Sequence, residues 1–125
     1  MKYEISIAGN KHYILIHVKG EMDADSALQY THEAHDLGRA EGIDKFLVDL
    51  TQARNKLRIL QNYEFAYDQV APDPRINHQA KVAMLVSPRD HSHDFIETVT
   101  INAGLKVKLF RDRQMAMEYL GVEST

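Results

Sequence analysis

The chain is 125 residues long, 44% hydrophobic and 26% charged, with a formal net charge of −3 and no cysteine. That is enough chain for one domain with a real core, and a single domain over residues 1–125 is expected. The composition excludes a disulfide framework and a thiolate metal site, offers no basic footprint for nucleic acid, and contains no run near the roughly 18 apolar residues of a membrane span.

The N-terminus, Met1-Lys2-Tyr3-Glu4-Ile5, lacks the charged-then-apolar layout of a signal peptide, so the simplest expectation is a cytoplasmic protein. Tyr3, Ile5 and Ile7 alternate with Lys2, Glu4 and Ser6, which predicts a half-exposed edge strand. Gly9-Asn10 reads as a two-residue turn into a second strand from about His12 to Val18, making a β-hairpin. Asp23 is a good N-cap for a helix to about Arg39, in which Ala27, Tyr30, Ala34 and Leu37 recur at helical spacing, with Gly42 beyond its end.

A third strand is predicted from about Lys45 to Leu50, followed by a polar segment with Arg54, Lys56 and Arg58. Leu60, Tyr63, Tyr67 and Val70 then mark one face of a second helix, which Pro72 and Pro74 end. Ala80 to Val86 reads as the fourth strand, and Phe95, Ile96, Val99 and Ala103 as a third helix closed by Gly104. Leu105, Val107 and Leu109 alternate with lysines in a second edge strand. Asp112 then caps a last helix with Met115, Ala116, Tyr119 and Leu120 inward. The order is ββαβαβαβα.

The runs Ile14–Ile16, Phe46–Leu50 and Val82–Val86 are nearly continuous in apolar character, as strands covered on both faces are. In open α/β sheets, ligands and partners meet the loops at the carboxyl ends of such strands. Those loops are Gly20-Glu21-Met22-Asp23, Thr51–Lys56 and Ser87–His93.

The motifs around them resemble known ones. Gly20-Glu21-Met22-Asp23 and Asp49-Leu50-Thr51 are similar to the Gly-Glu-Leu-Asp and Asp-Leu-Ser segments of the STAS domain, the fold of anti-anti-sigma factors. Val82-Ala83-Met84-Leu85-Val86-Ser87-Pro88, Phe95-Ile96-Glu97-Thr98, Asn102-Ala103-Gly104 and Val107–Asp112, with Ala116 and Tyr119-Leu120, resemble the SpoIIAA-like family, which shares its architecture with STAS and the lipid-binding SEC14 domain. The resemblance covers almost the whole chain and implies a five-stranded mixed α/β sheet with an N-terminal hairpin and four helices. It also implies a small binding or regulatory module without a cofactor. One departure stands out. Phospho-regulated STAS proteins carry a serine switch after the third strand, whereas Thr51 to Leu60 contains no serine or glycine, and Thr51 is its only hydroxyl.

Several clusters invite chemical readings. Asp90-His91-Ser92-His93-Asp94 has imidazoles and carboxylates of the kind that bind metal, but no spaced motif completes a site. The plainer expectation is a polar loop with Ser92 or Asp94 as N-cap and solvated histidines. A Ser–His–Asp reading fails because sequence neighbours rarely reach triad geometry. His32 and His35 share a helix face with Asp36 nearby, which reads first as a polar face. His12 and His17 differ by an odd number, so as strand residues they face opposite ways. Asp49, at the end of a buried strand, is expected to accept backbone N–H groups of the following loop.

Arg54, Asn55, Lys56 and Arg58, with Arg89 on the neighbouring loop, form a cation cluster that reads first as a solvated pre-helix loop and next as a receptor for a phosphate, a carboxylate or an acidic partner segment. On the second helix, Leu60, Tyr63 and Tyr67 are expected in a core or at a homodimer interface or apolar pocket wall, with Phe65 pointing elsewhere. The leading expectation is a non-catalytic module acting by protein–protein contact. Its surface would combine Glu21, Asp23, Thr51, Arg54, Arg58, Arg89 and His91. The alternatives are a carrier with a small apolar ligand under the second helix and, last, an enzyme using Asp90–His93.

Overall fold

The structure, a computed structural model, describes residues 2–9, 12–56, 62 and 64–122, without the side chains of Ala66 and Tyr67. Arg58, Leu60, Tyr63 and the side chain of Tyr67 therefore lie outside the described residues. The strands are β1 (Lys2–Ala8), β2 (Tyr13–Met22), β3 (Lys45–Asn55), β4 (Lys81–Leu85) and β5 (Lys106–Phe110). The helices are α1 (Ala24–Glu41), a π-helical segment α2 (Glu64–Val70), α3 (Asp94–Asn102) and α4 (Arg113–Leu120). The five strands lie in the order β1-β2-β3-β4-β5. β1 is antiparallel to β2, and the other pairs are parallel.

Phe46, Leu47 and Val48 are buried in succession because helices cover both faces of β3. On one face Ile16, Val48, Leu50 and Met84 meet Tyr30 and Ala34 of α1, Phe65 and Val70 of α2, and Ile96 and Val99 of α3. On the other, Leu47, Ala83, Leu85 and Phe110 meet Ala116, Met117 and Leu120 of α4. α1 lies close to β3 because Gly38 has no side chain: a Cβ there would stand 2.6 Å from the Ile43 carbonyl oxygen.

Caps at the helix ends hold this arrangement. Asp23 Oδ1 accepts the Ser26 N–H at 2.9 Å, and Asp112 Oδ1 accepts that of Met115 at 3.1 Å. Gly42 ends α1 in the left-handed region at φ 69°, its N–H donating to the Gly38 carbonyl. At the β5 edge, Glu97 Oε2 accepts the Leu109 N–H at 2.5 Å, so a side chain occupies a group that an intruding strand would seek.

Four expectations about local structure need correction. The hairpin connection is longer than two residues, since Ala8 pairs with Tyr13, and His12 lies in the turn rather than the strand. β2 reaches Met22 and β3 reaches Asn55, so two presumed loops are continuations of one parallel ladder. Phe65 is buried in the large core instead of pointing away. In a π-helix the hydrogen bond joins i to i+5, and Phe65 and Val70, five residues apart, are both buried. On α4 the inward methionine is Met117, while Met115 is 57% exposed.

Candidate functional site at the overhang of β3

β3 outruns β4. It pairs with β4 only as far as Asp49 opposite Leu85, yet stays paired with β2 as far as Asn55 opposite Met22. The ladder with β2 slips between His17 and Lys19, where β3 advances from Asp49 to Gln52. Such a bulge re-aims the strand that follows. Asp49 accepts the Thr51 N–H at 3.0 Å and its hydroxyl at 2.7 Å, which holds the extra residue in place.

Beyond the bulge, the side of β3 that faced β4 would be left with open main-chain groups. Side chains from Ser87 to His93 take them in turn. Ser87 Oγ donates to the Thr51 carbonyl at 2.7 Å, His93 Nε2 to the Ala53 carbonyl at 3.0 Å, and Ser92 Oγ accepts the Asn55 N–H at 3.0 Å. The segment after β4 therefore stands in for a strand, with polar side chains supplying what a backbone would have supplied. Asn55 Nδ2 extends the network to Asn62 Oδ1 at 3.0 Å, both residues being buried.

His93 is fully buried. Both groups facing its Nε2, the Ala53 carbonyl and Asp90 Oδ2 at 3.4 Å, are acceptors, so Nε2 carries the proton. Nδ1 has no hydrogen-bond partner among the described residues. Burial pushes the Asp90 carboxyl up, but hydrogen bonds from Ser92 and the charges of His93 and Arg54 outweigh it and hold it below the usual carboxylate range. The expected N-cap is corrected here too: the cap position of α3 is His93, without a side-chain cap bond, and Ser92 serves β3 instead. His91 is the exposed member of the loop. Its Nδ1 lies 2.9 Å from Asp94 Oδ2 and 3.0 Å from Arg111 Nη2, which also donates to Asp94 Oδ1 at 2.9 Å.

Of the residues predicted for a site, the structure brings Thr51, Arg54 and Arg89 together around a surface cleft of about 260 Å³, floored by Ala53, Ser87 and Asp90. Glu21 stands opposite Arg54 in the β2–β3 register. Asp23 is engaged in capping α1, and His91 belongs to the Asp94–Arg111 group. Among the described residues no three His, Cys, Asp or Glu side chains converge to hold a metal ion.

A second cluster joins His32, His35 and Asp36, which the sequence places on one helix face, to partners that it does not reveal. His32 and His35 sit three apart on α1 yet act on different parts of the segment between α2 and β4. His32 Nε2 meets the Asp73 carboxylate, and Arg75 Nη2 meets Asp36 Oδ2 at 2.7 Å. His35 is buried, stacked on Phe46 with ring centroids 4.5 Å apart, and its Nδ1 accepts the Asn77 N–H at 3.1 Å. Burial first, then the charges of Arg39 and His78, push the His35 imidazole down to about 4, against the opposing pull of Asp36. The segment Asp73–Asn77 is thus tied to α1. The signal was His32, His35 and Asp36 on one face of α1, which reads as an exposed face until its partners are known.

Beneath α2, an apolar cavity of about 100 Å³ lies between the sheet and the three helices. Phe65 helps to line it. This is below the roughly 300 Å³ at which pockets for drug-sized ligands begin. No described helix is long and apolar enough to cross a membrane.

No family model matches the sequence, and no curated protein does. Two solved structures are similar in architecture. The anti-sigma factor antagonist SpoIIAA in its unphosphorylated form matches with a TM-score of 0.56 at 9% identity, over 98% of this chain and 100% of that one. An uncharacterized DUF3478-family protein with a SpoIIAA-like fold, from Shewanella loihica PV-4, matches with a TM-score of 0.46 at 13% identity, over 95% of this chain and 92% of that one. The expected architecture is the observed one, and the chain has the SpoIIAA-like fold.

Proposed function

We propose that this protein is a non-catalytic regulatory or binding module that works by protein–protein contact at the overhang of β3. The observation that carries the reading is the pairing of exposed polar side chains with a rigid support. Glu21, Thr51, Gln52, Arg54 and Arg89 are all exposed; Glu21, Gln52 and Arg54 stand on the paired β2–β3 ladder and Thr51 at its bulge. A main chain already held in a hydrogen-bonded ladder loses little freedom on binding, which favours a contact surface over a solvated loop. The arginines suit planar, two-pronged contact with carboxylates of a partner. The solved relative of this fold that acts as an anti-sigma factor antagonist supports a role in regulation.

Thr51 acts in this reading as a contact and not as a phosphate acceptor. Its hydroxyl already donates to Asp49 at 2.7 Å. A phosphate there would face that carboxylate and be repelled by it.

The test is affinity capture from the source cells with the native protein and the double variant Arg54→Glu, Arg89→Glu, each checked for fold by circular dichroism. A protein retained by the native chain and lost from the folded variant, at least tenfold, is expected. Identical retained proteins for both forms would overturn the proposal.

A further inference from the structure

The two edges of the sheet are provided for in opposite ways. β5 has five residues, and Glu97 Oε2 already takes its Leu109 N–H. Its charges, Lys106 and Lys108, are of one sign. The register that pairs all of β5 with a second β5 sets Lys108 against its own copy, and like charges directly opposite destabilise a strand pair. β5 is thus closed both to an intruding strand and to itself.

β1 lacks these guards. Its seven residues pair one for one with β2, from Lys2 opposite Lys19 to Ala8 opposite Tyr13, without a bulge. It holds no proline, and among the described residues no side chain occupies the main-chain groups on its outer side. An edge left in this state is a template for another strand. Both edges leave apolar side chains half-exposed, Tyr3, Ile5 and Ile7 on one and Val107 and Leu109 on the other, so exposure does not choose between them. Charge and the Glu97 plug do.

The residues of β1 also suit a copy of themselves. Opposite residues of an antiparallel pair share a face, so a two-fold axis normal to the sheet must pass through a residue. With the axis at Ile5, every residue of the strand is paired. Glu4 then faces Ser6 of the second copy, a carboxylate against a hydroxyl donor, and Lys2 faces Ala8. On the side of α1, Ile5 meets Ile5 and Tyr3 meets Ile7, which covers apolar surface that the single chain leaves half-exposed. No like charges oppose each other. An axis at Glu4 would set two carboxylates together, and axes nearer either end pair fewer residues.

We propose that this protein forms a symmetric dimer in solution, in which β1 pairs antiparallel with β1 of a second copy about Ile5 and the two sheets become one. The edge is separate from Arg54 and Arg89, and the dimer does not depend on the proposed contact surface.

The test is sedimentation velocity of the full chain from micromolar to millimolar concentration, with a reversible monomer–dimer equilibrium expected. Position 6 is exposed, and the two-fold repeats each of its contacts. Ser6→Glu sets carboxylates against Glu4 and should weaken the dimer about tenfold, whereas Ser6→Lys supplies opposite charge and should tighten it by about threefold or more. Tightening cannot come from a misfolded variant. The double variant Glu4→Lys, Ser6→Glu restores opposite charges and should recover at least native affinity. The Arg54→Glu, Arg89→Glu variant should dimerise as the native chain does. A native chain that stays monomeric throughout, a dimer unmoved by both changes at Ser6 or shifted the same way by them, or a dimer lost from the Arg54→Glu, Arg89→Glu variant would each overturn the proposal.

Discussion

His93 and His35 are both buried imidazoles, and each holds a main-chain group on a distant element, but they do so with opposite polarity. His93 donates from Nε2 to the Ala53 carbonyl. His35 accepts at Nδ1 from the Asn77 N–H. A donating ring nitrogen keeps its hydrogen bond whether the ring is neutral or charged, whereas an accepting one loses its lone pair on protonation. The same residue type therefore makes a donating fastening at the carboxyl end of the sheet and an accepting one, which a proton at Nδ1 would break, at α1. Their surroundings match: His93 has Asp90 Oδ2 at 3.4 Å, while His35 has Arg39, His78 and His32 as neighbouring cations or potential cations.

The largest expected effect comes from breaking the donating side. His93→Ala removes a fully buried ring and leaves the Ala53 carbonyl without its partner. Lost packing together with a buried unpaired acceptor should cost about 4 kcal/mol. Urea denaturation at neutral pH measures it. A loss below about 1 kcal/mol would show that water or a rearranged loop replaces the ring, and that the overhang does not depend on it.

The accepting side is broken by acid. His35 has a folded-state value of about 4 against an ordinary value of 6.5, so the unfolded chain takes up the proton first. Its contribution to stability is complete above about pH 6.5, falls as the pH drops toward 4, and is exhausted below that. The fall is on the order of 3 kcal/mol over the window. Urea midpoints measured from pH 7.5 to 4 should show it. His35→Leu should flatten that slope while losing no more than about 1 kcal/mol at neutral pH, since water can reach the N–H of the exposed Asn77. A slope unchanged in the variant would assign the acid sensitivity to other groups.

How far the sequence discloses these features depends on range. Asp23, Asp112 and Gly42 act on groups within a few residues of themselves, and each is legible because capping is local. The continuous run Phe46–Val48 is legible because burial on both faces removes alternation. The extension of β2 and β3 is not legible. Its buried positions are Met22, Ala53 and Asn55, too few to form an apolar pattern, and its pairing rests on a bulge. α2 is misread at helical spacing because its inward pair, Phe65 and Val70, follows a five-residue period. His93 and His35 look like solvated loop and surface residues until Ala53 and Asn77, some 40 positions away in each case, are brought beside them. The candidate surface is legible only in part: Thr51, Arg54 and Arg89 come together, but His91 and Asp23 serve other partners.

The smallest effects sharpen the comparison, because two serines flank His93 in the same cap and again differ in polarity and exposure. Ser92 Oγ accepts the N–H of Asn55, a buried residue, at 3.0 Å. Alanine at position 92 cannot accept, so this bond is lost at a buried residue, and Ser92→Ala should cost about 1–2 kcal/mol. Amide hydrogen exchange at Asn55 should accelerate by about tenfold for each 1.4 kcal/mol lost when opening is local. Ser87 Oγ instead donates to the carbonyl of Thr51, an exposed residue, at 2.7 Å. Water can take that carbonyl when the hydroxyl is gone, so Ser87→Ala should change stability by no more than about 0.5 kcal/mol and leave exchange at Asn55 as it was. Equal losses in the two variants would mean that the cap acts as one cooperative unit, in which the loss of any member opens the whole overhang. Unequal losses in the stated order would mean that each side chain answers only for its own main-chain group, so that burial of that group sets its worth.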